Sequence, residues 1–201
     1  MRLRKKKWVK PFLETENKYL NDSYSDIKEK TYLEIGMGMG DFITESAFQN
    51  KDTFYIGLEK DETCVARAIK KANDLDLNNL MIILNDASKI LEYIPSKSID
   101  RIYLHFSDPW PKKAHHKRRL TYNTFIHLYS QILKDKGEIV VKTDNVLLFE
   151  DTIEYFKEEP YELIDINRDY HSELYNEPMT AYQKKFSDLG QPIYYLKYKL
   201  K

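Results

Sequence analysis

The sequence predicts a single α/β domain built on an open, doubly wound sheet, and three observations carry that prediction. A short apolar run, Tyr32 to Ile35, ends in glycines at alternate positions, Gly36, Gly38 and Gly40, the way such folds build a nucleotide site after the first strand. Short apolar runs then alternate along the chain with segments whose apolar residues recur at helical spacing. Several of the runs end in carboxylates, Glu59, Asp86, Asp108 and Asp144, at the strand ends where open α/β sheets bind ligands.

The first strand breaks into the glycine loop because glycine takes positive φ and lets backbone approach a ligand closely. A dinucleotide fingerprint, G-x-G-x-x-G, needs glycine at position 41, which is Asp41. The loop instead reads E-I-G-x-G-x-G, with Glu34 just before it. A carboxylate there repels a pyrophosphate and suits an ammonium or sulfonium ligand. Glu59, 23 residues after Gly36, follows the second apolar run, Thr53 to Leu58, and is placed to accept hydrogen bonds from ribose hydroxyls. Together these features favour an S-adenosylmethionine loop over a bare strand-turn-helix.

With 201 residues, 42% hydrophobic and 32% charged, the chain suits one domain with a substantial core. Its zero net charge argues against a uniformly basic coat and leaves room for local patches. A lone cysteine, Cys64, permits no intrachain disulfide, and the chain reads as cytoplasmic. No signal-type apolar stretch follows the basic N-terminus, and no run approaches a membrane span. Sixteen tyrosines leave room for a homodimer interface as well as a monomer.

Residues 1–30 read as a basic arm with a lead-in helix, and 31–201 as the domain. Arg2, Arg4, Lys5, Lys6, Lys7 and Lys10 interleave with Trp8 and Phe12, a pattern that either grips phosphates and stacks on bases or forms a solvated tail. Asn17 to Lys30 is polar and mixed, read as helix and loop. Phe42 to Gln49 reads as a short helix. Asp61 or Thr63 caps the next one, whose buried face is Val65, Ala68, Ile69 and Ala72. Cys64 on that helix reads as packing. Leu80 to Leu84 is a fully apolar buried strand. Asp86 after it is placed either to accept an adenine amino group or to cap a helix over Ser88 to Tyr93.

Ile99 to Phe106 alternates as a fourth strand and runs into Ser107-Asp108-Pro109-Trp110-Pro111-Lys112. The two prolines hold Asp108 and Trp110 rigidly at the strand end. The segment from Lys112 to Arg119 then carries five Lys/Arg and two His with no acid. Beside a cofactor loop, such a run suggests a polyanionic substrate. His115 and His116 lack a third ligand at sensible spacing, so no metal is expected. Tyr122, Phe125, Ile126, Tyr129, Ile132 and Leu133 make one helix face, closed by Lys134, Lys136 and Gly137. Glu138 to Thr143 is a fifth strand, ending in Asp144-Asn145. Phe149, Ile153 and Phe156 mark a further helix, closed before Pro160. Tyr161 to Ile166 and Ile193 to Tyr198 read as a final strand pair spanning a long excursion, a usual place for substrate residues.

With these motifs in place, the whole chain resembles the bacterial tRNA (guanine-N7)-methyltransferase family. The likeness rests on the basic arm, E-I-G-x-G-x-G, N-D-A after strand three, D-P-W-P-K-K-x-H-x-K-R-R, K-T-D after strand five, and T-x-Y-x-x-K-F near the end. It implies a Rossmann-like class I fold: a seven-stranded, mostly parallel sheet with an antiparallel last strand and helices on both faces. It implies methylation of N7 of a guanine in the tRNA variable loop, with S-adenosylmethionine as cofactor and tRNA as partner. It places Glu34, Glu59, Asp86, Ala87 and Asp108 with the glycines around the cofactor, and Asp108 as the catalytic residue. Lys112, Asp144, Thr180, Ala181, Tyr182 and Gln183 are then substrate contacts, and Ala114, His115, His116, Lys117, Arg118 and Arg119 form an RNA-contacting segment. One position departs from the pattern: the family usually has glutamate where this chain has Gln183. An amide offers one acceptor and two donors in place of two anionic acceptors. The competing expectations are a class I methyltransferase acting on another RNA base or an amino group, and a non-catalytic RNA-binding module.

Overall fold

The computed structural model describes residues 6–171 and 177–201. Arg2, Arg4 and Lys5 of the basic arm, and Asn176 of the long excursion, lie outside the described residues. Seven strands form one sheet: β1 Thr31–Ile35, β2 Phe54–Glu59, β3 Leu80–Leu84, β4 Ile99–His105, β5 Leu133–Thr143, β6 Tyr161–Asn167 and β7 Tyr194–Leu200. Their order is β3-β2-β1-β4-β5-β7-β6. Strands β1 to β5 pair in parallel, and β7 runs antiparallel to both β5 and β6. The order turns back between β1 and β4, the switch point at which parallel sheets open a crevice.

Period-two alternation splits the strand residues between two cores. Leu33, Ile35, Ile56, Leu58, Ile102, Leu104, Ile139 and Val141 pack with helices α4 (Asn123–Ile132) and α5 (Val146–Phe156). On the other face, Tyr55, Tyr103, Val140 and Tyr195 pack with α2 (Asp41–Gln49) and α3 (Glu62–Asp74). A sheet covered on both faces explains why β3 is a continuous apolar run. Asp61 caps α3 by accepting from the Thr63 and Cys64 amides at 2.9 and 3.2 Å. Burial pushes the Cys64 thiol up to about 11, as expected of a packing cysteine.

Two local expectations change. The N-terminal helix is α1, Val9–Thr15, inside the basic segment, whereas 17–30 holds turns, bends and one bridge, Leu20 to Ile82. Val9 is buried, and Phe12 and Leu13 pack on the α2/α3 core, while Lys6, Lys7 and Lys10 stay exposed. Three apolar residues on one face thus outweigh the charge of the segment. Next, α4 stops at Ile132 and Leu133 already pairs with Ile99, before a register shift to Arg101 opposite Glu138. Among the described residues no helix is long and apolar enough to cross a membrane.

Gly40 closes the glycine loop at φ +75°, and a Cβ there meets the Ala68 Cβ at 2.6 Å. Gly40→Ala therefore combines left-handed strain with overpacking against α3. It is expected to lower unfolding free energy by about 1–3 kcal/mol, measured by urea denaturation; an unchanged midpoint contradicts this packing.

Candidate active site

The glycine-loop half of the candidate site lies at the carboxyl ends of β1, β2 and β3. Gly36 N–H donates to the Leu58 carbonyl at 2.8 Å, and Gly38, at φ +56°, has open space where a side chain would stand. Glu59 ties this loop down: it accepts from the Gly38 amide at 3.1 Å, Lys60 at 2.8 Å and Asp61 at 3.0 Å. A carboxylate has about four lone-pair sites, so Glu59 keeps capacity for a ligand hydroxyl. Asp86 acts as the cap that the sequence allowed, accepting from the Ser88 amide at 2.9 Å. That bond holds its carboxyl below the usual range, and the side chain stays exposed. Ala87 opens the 3-10 turn Ala87–Glu92.

Glu34 is buried, and it shares a 3.0 Å hydrogen bond between its Oε1 and His105 Nδ1. Burial pushes the Glu34 carboxyl well up, with the Lys142 charge opposing, and pushes the His105 imidazole well down. Each group is therefore favoured in its neutral form. Glu34 Oε2 and His105 Nε2 have no hydrogen-bond partner among the described residues. An orphaned buried carboxylate oxygen beside a glycine loop fits a cationic group.

The substrate half follows β4 and β5. Phe106 and Trp110 sit at φ +49° and +38°, a left-handed region costly for bulky residues. Between them Asp108 stands exposed, as do Lys112 and Asp144. The loop is held by the Phe106 amide on the Lys142 carbonyl at 2.8 Å and by Arg119. The Arg119 Nε donates to the Pro109 carbonyl at 2.7 Å, and Nη1 donates to Asp151 at 2.5 Å and to Tyr155 Oη at 3.0 Å. Nη2 donates to His116 Nε2 at 2.9 Å. Arg119 is 2% exposed. This corrects its expected RNA contact: the guanidinium is spent on pinning the loop to α5. His116 belongs to the same cluster. Ala114, Lys117 and Arg118 on the 3-10 turn Lys113–Arg118 are exposed, and His115 is half-buried. Arg118 lies 4.9 Å over the Trp110 ring, and His115 meets its edge at 5.8 Å.

Thr180 caps helix α6 (Ala181–Asp188) by accepting from the Gln183 amide at 2.9 Å. Tyr182 is exposed and lies against Phe106 at 6.1 Å, which brings this turn to the Asp108 loop. The described residues do not include the Ala181 side chain. Gln183 is fully buried, and neither atom of its side-chain amide has a hydrogen-bond partner among the described residues, so the side chain is not presented to solvent. Sequence reasoning missed His105, Lys142 and Glu177, although a polar residue within an apolar strand run was a visible signal for the first two. Among the described residues no group of three or more His, Cys, Asp or Glu gathers as a metal site.

Residues 28–196 match a family model described as "Putative methyltransferase". The fold is similar to a solved SAM-dependent methyltransferase from Aquifex aeolicus, 12% identical over 96% of this chain and 89% of that one, with a TM-score of 0.62. Fold and family match together define a class I methyltransferase. The chain is also 40% identical to the tRNA (guanine-N(7)-)-methyltransferase of Staphylococcus carnosus (strain TM300), covering 96% of this chain and 97% of that protein. It is 41% identical to its namesake in Staphylococcus aureus (strain Newman), covering 96% and 95%. The chain belongs to the tRNA (guanine-N7)-methyltransferase family.

The buried imidazole gives a pH signature. Unfolded, His105 takes up a proton as pH falls through its ordinary value of 6.5; folded, it resists until lower pH. The unfolded state then binds more protons, so stability is lost as pH drops below that point. Glu34 acts with the opposite sign, losing its proton in the unfolded chain first as pH rises past 4.5. His105→Asn keeps Glu34 in place, so the difference between the two proteins reports His105. The variant is expected to lose less stability than wild type between about pH 7 and 5, read by urea unfolding at several pH values. Parallel curves contradict a neutral buried His105.

Proposed function

We propose that this protein transfers the methyl group of S-adenosylmethionine to N7 of a guanine in tRNA, at variable-loop position 46. The observation that carries the reading is the facing of two loops across the β1/β4 switch point. One is the glycine loop with the free Glu34 oxygen, and the other is the strained loop that displays Asp108. The relatives named above support the same substrate, and we place the reaction in the cytoplasm as part of this reading.

The donor set fits the cofactor. Glu34 would take its ammonium group, Glu59 a ribose hydroxyl and Asp86 the adenine amino group, against the backbone of Gly36, Gly38 and Gly40, with Ala87 alongside. When bound, S-adenosylmethionine supplies a methyl group activated by a sulfonium. Guanine N7 has a lone pair and no proton, so no side chain has to act as a base. The chain's task is alignment, which is worth several kcal/mol. Asp108 places a negative charge beside a purine that becomes cationic, stabilising that charge as it develops. Asp144, Lys112, Thr180 and Tyr182 orient the base. Ala114, His115, Lys117 and Arg118 face the RNA, joined by Lys6, Lys7 and Lys10 of the arm, and their phosphate contacts make binding salt-dependent.

The test is methyl transfer from labelled S-adenosylmethionine to unmodified tRNA, followed by digestion and identification of the nucleoside. N7-methylguanosine from the variable loop is expected. Methyl on an exocyclic amine would favour another class I activity, and tRNA binding without cofactor binding a non-catalytic module.

A further inference from the structure

Lys142 is fully buried on β5, two residues before Asp144. Its ammonium donates to Glu177 Oε2 at 2.8 Å, and the Tyr170 hydroxyl donates to the same oxygen at 3.1 Å. The ammonium also lies 4.4 Å from the centre of the Tyr170 ring. Tyr170 is itself fixed: its ring stacks on Tyr195 at 4.9 Å, and its amide donates to the Ile193 carbonyl at 2.8 Å. Lys142, Tyr170 and Glu177 thus close a three-way contact under the sheet end. It gathers the start of the excursion after β6 and the residues just before α6 onto one buried charge. A buried ammonium with one carboxylate partner resists separation, because either charge left alone is strongly disfavoured.

Glu177 stands three residues before Thr180, with Pro178 between them. Three residues span at most about 10 Å, and proline narrows the paths further. Fixing Glu177 therefore limits where Thr180, the cap of α6, can sit. Helix α6 is also held by buried Gln183 and by Tyr182 and Phe186 against the Phe106 ring, whereas Met179 and Leu189 are exposed, so Glu177 is the charged tie at its start.

We infer that the Lys142–Glu177 pair is a buried latch that registers the Thr180–Tyr182 turn over the guanine, so that both are positioning residues for tRNA and not for the cofactor. This rests on the methyltransferase reading above. The latch is separate from the cofactor carboxylate, because Glu34 is hydrogen-bonded to His105. Lys142 reaches Glu34 only through longer-range charge.

The test uses the full chain with Glu177→Gln, Glu177→Leu and Lys142→Met. Unmodified tRNA kinetics are read beside the S-adenosylmethionine Kd from calorimetry. Glu177→Leu and Lys142→Met are expected to raise the KM for tRNA about tenfold or more, a loss of roughly 1.4 kcal/mol, with the cofactor Kd within about twofold in Glu177→Leu, which leaves the Lys142 charge near Glu34 in place. Glu177→Gln keeps an acceptor oxygen for Lys142 but removes the counter-charge, and is expected to raise the tRNA KM less than Glu177→Leu does. The Glu177 side chain is 17% exposed, so its variants keep the test decisive if Lys142→Met does not fold. The latch is overturned if Glu177→Leu leaves the tRNA KM unchanged while wild type forms N7-methylguanosine, or if the cofactor Kd weakens as much as the tRNA KM. A wild-type chain that binds cofactor and transfers no methyl to tRNA overturns the reading and the latch together.

Discussion

The constraint on which the rest depends is the divergence of β1 and β4. They are parallel neighbours, but the chain after β1 enters α2 on one face of the sheet, and the chain after β4 goes on to α4 on the other. Neighbouring strands whose continuations leave on opposite faces open a crevice between their ends. The loops that follow β1 and β4 lie on either side of that crevice. The glycine loop and Glu59 are on one side, and the Asp108 loop, Asp144 and the start of α6 are on the other. The crevice follows from topology, so the side chains need only furnish it.

Furnishing it carries opposing energies. Phe106 and Trp110 in the left-handed region each cost on the order of 1–3 kcal/mol. Arg119 offsets this with bonds to Pro109, Asp151, Tyr155 and His116, since hydrogen bonds to a charged group contribute about 1.5–3 kcal/mol each. The strained loop is therefore kept by a buried cation, and the prolines alone do not explain its shape. The same logic applies on the α2 face of the sheet, where Glu34, His105 and Lys142 are buried. Each has found a partner among the others or in Glu177.

The sheet was legible because each strand carries a clear pattern: all-apolar in β3, alternating in β4, and followed by glycine after β1. The glycine loop and the carboxylates beside it were legible too, since Gly36, Gly38, Gly40, Glu34 and Glu59 are close in sequence or at a known interval. The α1 helix was masked by its lysines, which say nothing about the Val9, Phe12, Leu13 face. Arg119 looked like the end of a basic run because charge patterning cannot distinguish a guanidinium facing solvent from one folded back onto Asp151, a residue 32 positions away. Gln183 and Glu177 were illegible for a related reason. Glu177 is placed by tertiary contacts to Lys142 and Tyr170, and burial of either residue is not set by local composition.

The proposed function divides labour across the crevice: the β1–β2 side would hold the cofactor and Asp108 would act on the substrate. The most direct measurement is the Asp108→Asn variant, with turnover on tRNA and S-adenosylmethionine affinity determined on the same preparation. The account predicts turnover reduced about 100-fold, the scale of losing one electrostatic stabiliser, with cofactor affinity within about threefold of wild type. Collapse of cofactor binding with the loss of turnover would contradict it and make Asp108 chiefly a cofactor ligand.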